Sequence, residues 1–124
     1  MTEAIDPAGF ANLVEITGGD LEFVDELVDT WLAEGESQLA TLRAEAAGGD
    51  VERLTRAAHS MKSGAINVGA LRLGELCRAL EEDGRAGAVG DETTRVALIG
   101  EAFDDARREL LAERAARTGG GSPA

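Results

Sequence analysis

The strongest constraint on the fold is a Gly-Gly-Asp junction that occurs twice, at residues 18–20 and 48–50. Glycine ends helices because it adopts the left-handed conformation at little steric cost, and aspartate caps a following helix by accepting hydrogen bonds from its free N–H groups. Apolar residues recur at helical spacing on both sides of these junctions, and no segment shows the alternation typical of a β-strand. The sequence therefore predicts an all-α fold.

This pattern of glycine breaks and helix caps predicts five helices. A short lead-in helix begins at Pro7, is capped by Asp6 and ends at Gly18. The longer helices are expected at residues 21–47, 51–67, 70–83 and 92–117. Because all the breaks are short and rich in glycine, we predict an antiparallel four-helix bundle with a short extra N-terminal helix. The bundle would form one domain over residues 1–117, and residues 118–124 would be a flexible C-terminal tail.

Each helix carries an apolar stripe that is expected to face the core. Val51 begins the stripe of the third helix, Phe23 widens the stripe of the second, and Cys77 is interpreted as a small buried hydrophobic residue. With 124 residues, of which 44% are hydrophobic, the chain is long enough to build one core. We expect a monomer, because these stripes can close a bundle within one chain.

Composition excludes several classes of function. The net charge of −12 argues against a nucleic-acid-binding protein, because a polyanion would be repelled. One cysteine and one histidine cannot build a four-ligand zinc site, and no glycine-rich nucleotide loop or serine hydrolase cluster is present. The sequence lacks an apolar run near 18 residues and has an acidic N-terminus, so we expect a cytoplasmic protein without a membrane segment.

The only histidine and the only lysine, His59 and Lys62, lie three residues apart in the third predicted helix. On a helix they are about 60° apart around the axis, and Arg56 lies at a similar offset on the preceding turn. The core stripe of this helix is centred roughly 120° away, which places the histidine on a solvent-facing flank. Residues 51–80 contain five basic and two acidic side chains in an otherwise acidic chain, which points to handling of a small anionic group here.

An exposed imidazole at this position has a definite chemical use. Neutral imidazole is a good nucleophile near pH 7, and a phosphoryl group on it would add about two negative charges beside Lys62. The neighbours Ser60, Ser63 and Gly64 are small, which leaves the ring approachable. His59 is therefore the candidate acceptor of a phosphoryl group.

The sequence around His59 contains the motif A-H-x-x-K followed at short distance by N-x-G-A. The segments concerned are Ala58-His59-Ser60-Met61-Lys62-Ser63, Asn67-Val68-Gly69-Ala70, Leu73, Leu76-Cys77 and Leu80-Glu81. These residues resemble the histidine phosphotransfer (HPt) domain of multistep two-component phosphorelays. The resemblance covers residues 57–81 well, and the predicted helix layout covers most of the rest. One departure is that Ser63 follows the lysine where the family often has glycine.

The resemblance implies a signal-transduction carrier rather than an enzyme, because such a domain neither binds ATP nor hydrolyses a substrate. His59 would be the phosphoacceptor, taking the group through Nε2 from a response-regulator receiver domain and passing it to another receiver. Lys62 would offset the charge of the phosphoryl oxygens. The receiver would supply the magnesium ion, so the resemblance implies no cofactor or metal site in this chain.

The neighbours of His59 are expected to have two kinds of role. Arg56, Ser63 and Ile66 are interpreted as docking residues for the receiver. Gly64, Asn67 and Gly69 are interpreted as structural residues, the first for close helix packing and the others for the corner between two helices. Glu81 is interpreted as a solvated or salt-bridging residue.

Two alternatives stay open at the level of the sequence. The bundle could be an interaction module that binds a signalling partner without being phosphorylated. It could also be the phosphotransfer domain of a sensor kinase, separated from a longer chain. Detection of an acid-labile phosphoryl group would decide against the first, and a catalytic ATP-binding domain in the native polypeptide would favour the second.

Overall fold

A computed structural model describes residues 5–118, which form five α-helices and no strand. The helices are α1 Pro7–Ile16, α2 Leu21–Gly48, α3 Val51–Val68, α4 Leu71–Arg85 and α5 Glu92–Thr118. The prediction of an all-α fold with a short N-terminal helix is confirmed. Helix α5 includes Thr118, which the sequence analysis assigned to the tail. The other predicted tail residues, 119–124, lie outside the described residues, as do residues 1–4.

The two Gly-Gly-Asp junctions act as the sequence predicts. Asp20 caps α2 by accepting hydrogen bonds from the backbone N–H groups of Glu22 and Phe23 at 3.1 and 3.2 Å. Asp50 caps α3 by accepting from the N–H of Arg53 at 3.1 Å. Gly49, between α2 and α3, has a φ of 92°, a left-handed conformation that glycine adopts without strain. The connection between α2 and α3 is therefore only two residues long.

Helices α2 to α5 form the bundle. Helix α2 packs against α3 and α5, and α4 packs against the same two helices from the other side. Helix α1 crosses the end of α3, where the N–H of Asp6 donates a hydrogen bond to the carbonyl of Gly69 at 2.8 Å. A Cβ atom on Gly9 would lie 2.5 Å from the Cα of Gly69, so this crossing requires glycine on both backbones. The crossing fixes the end of the helix that carries His59.

The core runs along the centre of the bundle and receives side chains from every helix. Its largest fully buried residues are Phe10, Val24, Val28, Leu42, Leu54, Leu73, Cys77, Leu80, Ile99, Phe103 and Leu110. The prediction that Phe23 and Val51 face the core is wrong, because these side chains are 48% and 40% exposed. Both lie in the first turn of their helix, where periodicity assigns a face but cannot show that a neighbouring helix extends far enough to cover it.

No helix within residues 5–118 combines the length and the hydrophobicity needed to cross a bilayer.

Candidate functional site

His59 lies in the middle of α3 on the side turned away from the core. Its neighbours Ala58 and Met61 are buried, whereas the side chain of His59 is 51% exposed. This agrees with the solvent-facing position that the apolar stripe of α3 predicts. The imidazole is therefore open to a partner on one side and supported by the protein on the other.

The support comes from Glu81 of α4, a carboxylate that is only 4% exposed. Its Oε2 atom lies 2.7 Å from Nδ1 of His59 and 2.5 Å from a guanidinium nitrogen of Arg85. Its Oε1 atom lies 2.7 Å from Nζ of Lys62. One buried carboxylate therefore joins the histidine to both neighbouring cations. The sequence placed His59 and Lys62 together but did not predict that Glu81 connects them.

The charge of Glu81 follows from these contacts. The ammonium group of Lys62 lowers the pKa of the Glu81 carboxyl to about 2, with a further lowering by His59, and outweighs the opposing effect of burial. Glu81 is therefore an anion at neutral pH and can only accept hydrogen bonds. Because Nδ1 of His59 must then donate, the neutral ring carries its lone pair on Nε2. The contact selects the tautomer in which the lone pair of Nε2 is free.

Sequence reasoning gave Glu81 only as a solvated or salt-bridging residue, of which the salt-bridging role is observed, and it did not name Arg85. Glu81 contacts His59 across 22 residues of chain, and helical spacing within α3 gives no information about such a contact. A signal was nevertheless present in α4, since Glu81 follows Cys77 by four residues and so shares its core-facing side. An acid on a core face requires a counter-charge. Arg85, one turn later, and Lys62 of α3 provide it.

The three predicted docking residues all lie on α3 with their side chains accessible. Arg56 and Ser63 are exposed, and Ile66 is 62% exposed. An apolar side chain exposed to this degree two turns from His59 is available to a partner. These three residues therefore share the surface of α3 that also presents the imidazole.

The three residues expected to have structural roles lie at the edges of this surface. The indole N–H of Trp31 donates a hydrogen bond to the carbonyl of Gly64 at 2.9 Å, and a Cβ on Gly64 would lie 3.3 Å from the indole nitrogen. Gly69 ends α3 with a φ of 77°, and its carbonyl accepts the hydrogen bond from the N–H of Asp6, the N-cap of α1. Asn67 is exposed near this corner and lines the cleft beside the site.

A cleft of about 400 Å³ runs between α2 and α3 beside the imidazole. Its lining includes Trp31, Glu34, Gly35, Gln38, His59, Ser60, Ser63, Gly64, Asn67 and Phe103. The rings of Trp31 and Phe103 are stacked with centroids 5.2 Å apart. Gly35 allows this arrangement, because a Cβ at that position would overlap the ring of Phe103. The stacked pair, in which Phe103 is buried and Trp31 is half-buried, thus supports the helix surface on which His59 is presented.

Comparison with known proteins agrees with this geometry. Residues 26–115 match the Hpt domain family. The chain belongs to this family. The crystal structure of histidine-containing phosphotransfer protein B from Pseudomonas aeruginosa PAO1 is similar, with a TM-score of 0.83 and 29% sequence identity. The match covers 92% of this chain and 96% of that chain. Comparison with curated proteins gives no match.

The function of this Hpt domain is histidine phosphotransfer in a phosphorelay. Its five helices and bundle arrangement match the fold of the solved phosphotransfer protein. The sequence-based prediction of the family, the fold and the type of function is confirmed.

Proposed function

We propose that His59 is the phosphoacceptor of this Hpt domain and that Glu81 positions it for attack. The observation that carries this proposal is the 2.7 Å contact between Nδ1 of an exposed imidazole and a buried carboxylate. Most exposed histidines have neither a fixed tautomer nor a fixed ring orientation. A ring held from behind by Glu81 has both, which favours productive collision with a bulky partner.

The transfer needs no reactant other than His59 and the aspartyl phosphate of a receiver. The lone pair of Nε2 attacks the phosphorus of an aspartyl phosphate on a receiver domain, and the bond from phosphorus to the aspartate oxygen breaks. The aspartate leaves as a free carboxylate, and the proton on Nδ1 stays in its hydrogen bond to Glu81. The ring becomes positively charged as the new bond forms, and the adjacent anion of Glu81 stabilises that charge. Attack by a second receiver's aspartate reverses the sequence and passes the group on.

Two cations beside Glu81 would attract the phosphoryl oxygens. Lys62 is 23% exposed and Arg85 is 64% exposed, and both contact the carboxylate that holds His59. The phosphoryl group would add about two negative charges beside them. Lys62 therefore has a second partner available when His59 is phosphorylated, and Arg85 supplies a further positive charge from α4.

The magnesium ion of the reaction belongs to the receiver in this proposal. The carboxylate beside His59 is Glu81, whose two oxygen atoms are already within 2.7 Å of cationic groups. A carboxylate engaged in this way is a poor ligand for a divalent cation, which prefers several free oxygen donors. The chain supplies the nucleophile, its orientation and the docking surface. We therefore propose a phosphoryl carrier that has no catalytic metal of its own.

Receiver domains would dock on the face of α3 that contains Arg56, Ser63 and Ile66. A hybrid sensor kinase is one source of such a receiver, and a separate response regulator is another. We expect the chain to act in the cytoplasm. We also expect it to act as a monomer, because the exchange requires His59 to meet successive receivers. Covering the α3 surface by a second copy would block that exchange.

The proposal is tested by incubating the chain with phosphorylated receiver domains from the same organism. We expect the intact mass to rise by one phosphoryl group, which is lost in acid and retained in base. The variant His59→Gln should gain nothing, whereas Ser60→Ala and Ser63→Ala should still be labelled. An acid-stable label, or labelling of His59→Gln, would contradict the assignment. No transfer from any receiver would favour an interaction module that is not phosphorylated.

A further inference from the structure

The described basic side chains divide into two groups. Most of them lie within 4.0 Å of an acidic oxygen, as Lys62 and Arg85 do with Glu81. Arg43, Arg56 and Arg72 have no ion pair with any side chain that the structure describes. The sequence has 24 acidic and 12 basic residues, so acids are in excess. At an unpaired arginine in such a chain, the negative charge of a partner does not compete with an acidic side chain of the protein itself.

Arg56 differs from the other two because it lines a polar pocket that adjoins the His59 cleft. This pocket of about 370 Å³ lies between α2 and α3 and shares Gln38 and Ser60 with the cleft. Its other lining residues are Ser37, Thr41, Arg53, Arg56 and Ala57. Hydroxyl, amide and guanidinium groups together suit an oxyanion, because all of them can donate hydrogen bonds.

The second arginine of the pocket does not compete for such a ligand. Arg53 lies 3.4 Å from Oε2 of Glu45, so its charge is already partly balanced. Arg56 is therefore the arginine of this pocket whose charge is not balanced by a described acidic side chain. It lies three residues before His59, which is about 4.5 Å along the axis of α3.

A receiver that reaches His59 must also cover Arg56. A protein interface of ordinary size buries about 800 Å² on each partner, which corresponds to a patch with a radius of roughly 16 Å. A guanidinium covered by such a patch loses hydration, and that loss opposes binding unless the partner provides a negative charge. A receiver with an acid opposite Arg56 would be accepted, and one with a base there would be rejected.

We propose that Arg56 is a specificity-determining residue that pairs with a carboxylate side chain on the docked receiver domain. This inference rests on the proposed function of His59 and adds the chemistry by which partners are selected. Arg56 contacts the body of the receiver rather than the phosphoryl group. It therefore acts on the formation of the complex and not on the transfer step.

The test measures the phosphoryl transfer rate against receiver concentration, using a receiver domain that labels the wild-type chain. Arg56→Glu should raise the half-saturating concentration about tenfold and leave the rate at saturation unchanged, because attraction becomes repulsion at one contact. Arg43→Glu is the matched control. It makes the same change of charge at another unpaired arginine, which lies between α2 and α5 rather than beside the His59 cleft. Its half-saturating concentration should stay within twofold of the wild-type value.

Charge exchange identifies the partner residue. Each acidic residue around the phosphorylated aspartate of the receiver is changed to arginine in turn, and each variant is tested with Arg56→Glu. One of them should restore transfer to Arg56→Glu while losing it with the wild-type chain. Failure of every exchange would overturn the pairing with a carboxylate.

The remaining outcomes separate this inference from the proposed function. Equal losses in Arg56→Glu and Arg43→Glu would mean that net charge alone matters, which would overturn the role of Arg56. A lower rate at saturation with an unchanged half-saturating concentration would place Arg56 at the reacting group and would also overturn it. In both cases the wild-type chain is still labelled on His59. If the wild-type chain accepts no phosphoryl group from any receiver, the proposed function fails and this inference fails with it.

Discussion

The Oε2 atom of Glu81 lies 2.7 Å from Nδ1 of His59, so a buried anion on α4 fixes the tautomer of an exposed ring on α3. The contact separates two tasks between two helices. Helix α3 presents the imidazole to solvent, and α4 holds the ring from behind. Because α3 and α4 pack closely along their length, the position of the ring depends on the core between them and not on the surface.

Replacement of Glu81 should therefore slow phosphoryl acceptance by His59. We expect Glu81→Ala to reduce the transfer rate about tenfold, because Nδ1 loses the group that orients the ring. Glu81→Gln should lose less, since its amide oxygen can still accept a hydrogen bond from Nδ1. The control is Glu82→Ala, which removes the adjacent exposed carboxylate that pairs with Arg78. Equal rates for Glu81→Ala and Glu82→Ala would show that Glu81 has no positioning role.

Lys62 should contribute both to transfer and to stability, because its Nζ lies 2.7 Å from Oε1 of Glu81. Lys62→Ala should shorten the lifetime of the phosphohistidine and lower the free energy of unfolding by about 1 kcal/mol, since a buried carboxylate loses one counter-charge. Lifetime is measured by loss of label at constant pH, and stability by urea unfolding. Arg78→Ala is a suitable comparison, because Arg78 pairs only with exposed carboxylates. A Lys62→Ala variant with an unchanged phosphohistidine lifetime would leave the lysine a purely structural residue.

The pH dependence of stability should contain a contribution from Glu81. Its pKa is about 2 in the folded protein and near 4.5 in the unfolded chain, so folding favours the ionised form. The stabilisation is fully present above about pH 4.5 and is lost as the pH falls towards 2. The difference in stability between the wild type and Glu81→Gln should therefore shrink between these values. Urea midpoints at pH 6, 4 and 2 measure it, and a difference that does not change with pH would contradict the depressed pKa.

Two glycines of α2 should respond to alanine with opposite signs. A Cβ on Gly35 would overlap the buried ring of Phe103, so Gly35→Ala should lower stability by about 1–3 kcal/mol. A Cβ on Gly48 would meet no atom within 4 Å, and this last residue of α2 does not have a positive φ, so Gly48→Ala should raise stability by about 0.5–1 kcal/mol. Thermal unfolding of both variants checks the pair. Stabilisation of Gly35→Ala would show that Phe103 can move without cost.

The helix pattern could be predicted because local chemistry determines it. Asp20 and Asp50 cap the helices that follow them. Gly18 and Gly19 provide the left-handed residues of the first junction, and Gly49 provides that of the second. The exposure of His59 could be predicted for a similar reason, since the apolar stripe of one helix fixes which face is left for solvent. These inferences need only residues within a few turns of one another.

The contacts between helices could not be predicted in this way. The pairing of His59 with Glu81 depends on how α3 and α4 rotate against each other, which the periodicity of either helix alone does not specify. The exposure of Phe23 and Val51 depends on where neighbouring helices end. In each case the deciding information lies in the packing between elements distant in sequence.

The thiol of Cys77 should be unreactive in the folded protein. Burial raises the pKa of this thiol to about 12, with a further contribution from the charge of Glu81. At pH 8 only about one molecule in ten thousand would carry the reactive thiolate, and the side chain is fully buried. A thiol-specific reagent should therefore label the protein at once in urea but only over the timescale of helix opening in buffer. Fast labelling of the native protein would show that α4, and with it the carboxylate that positions His59, opens readily.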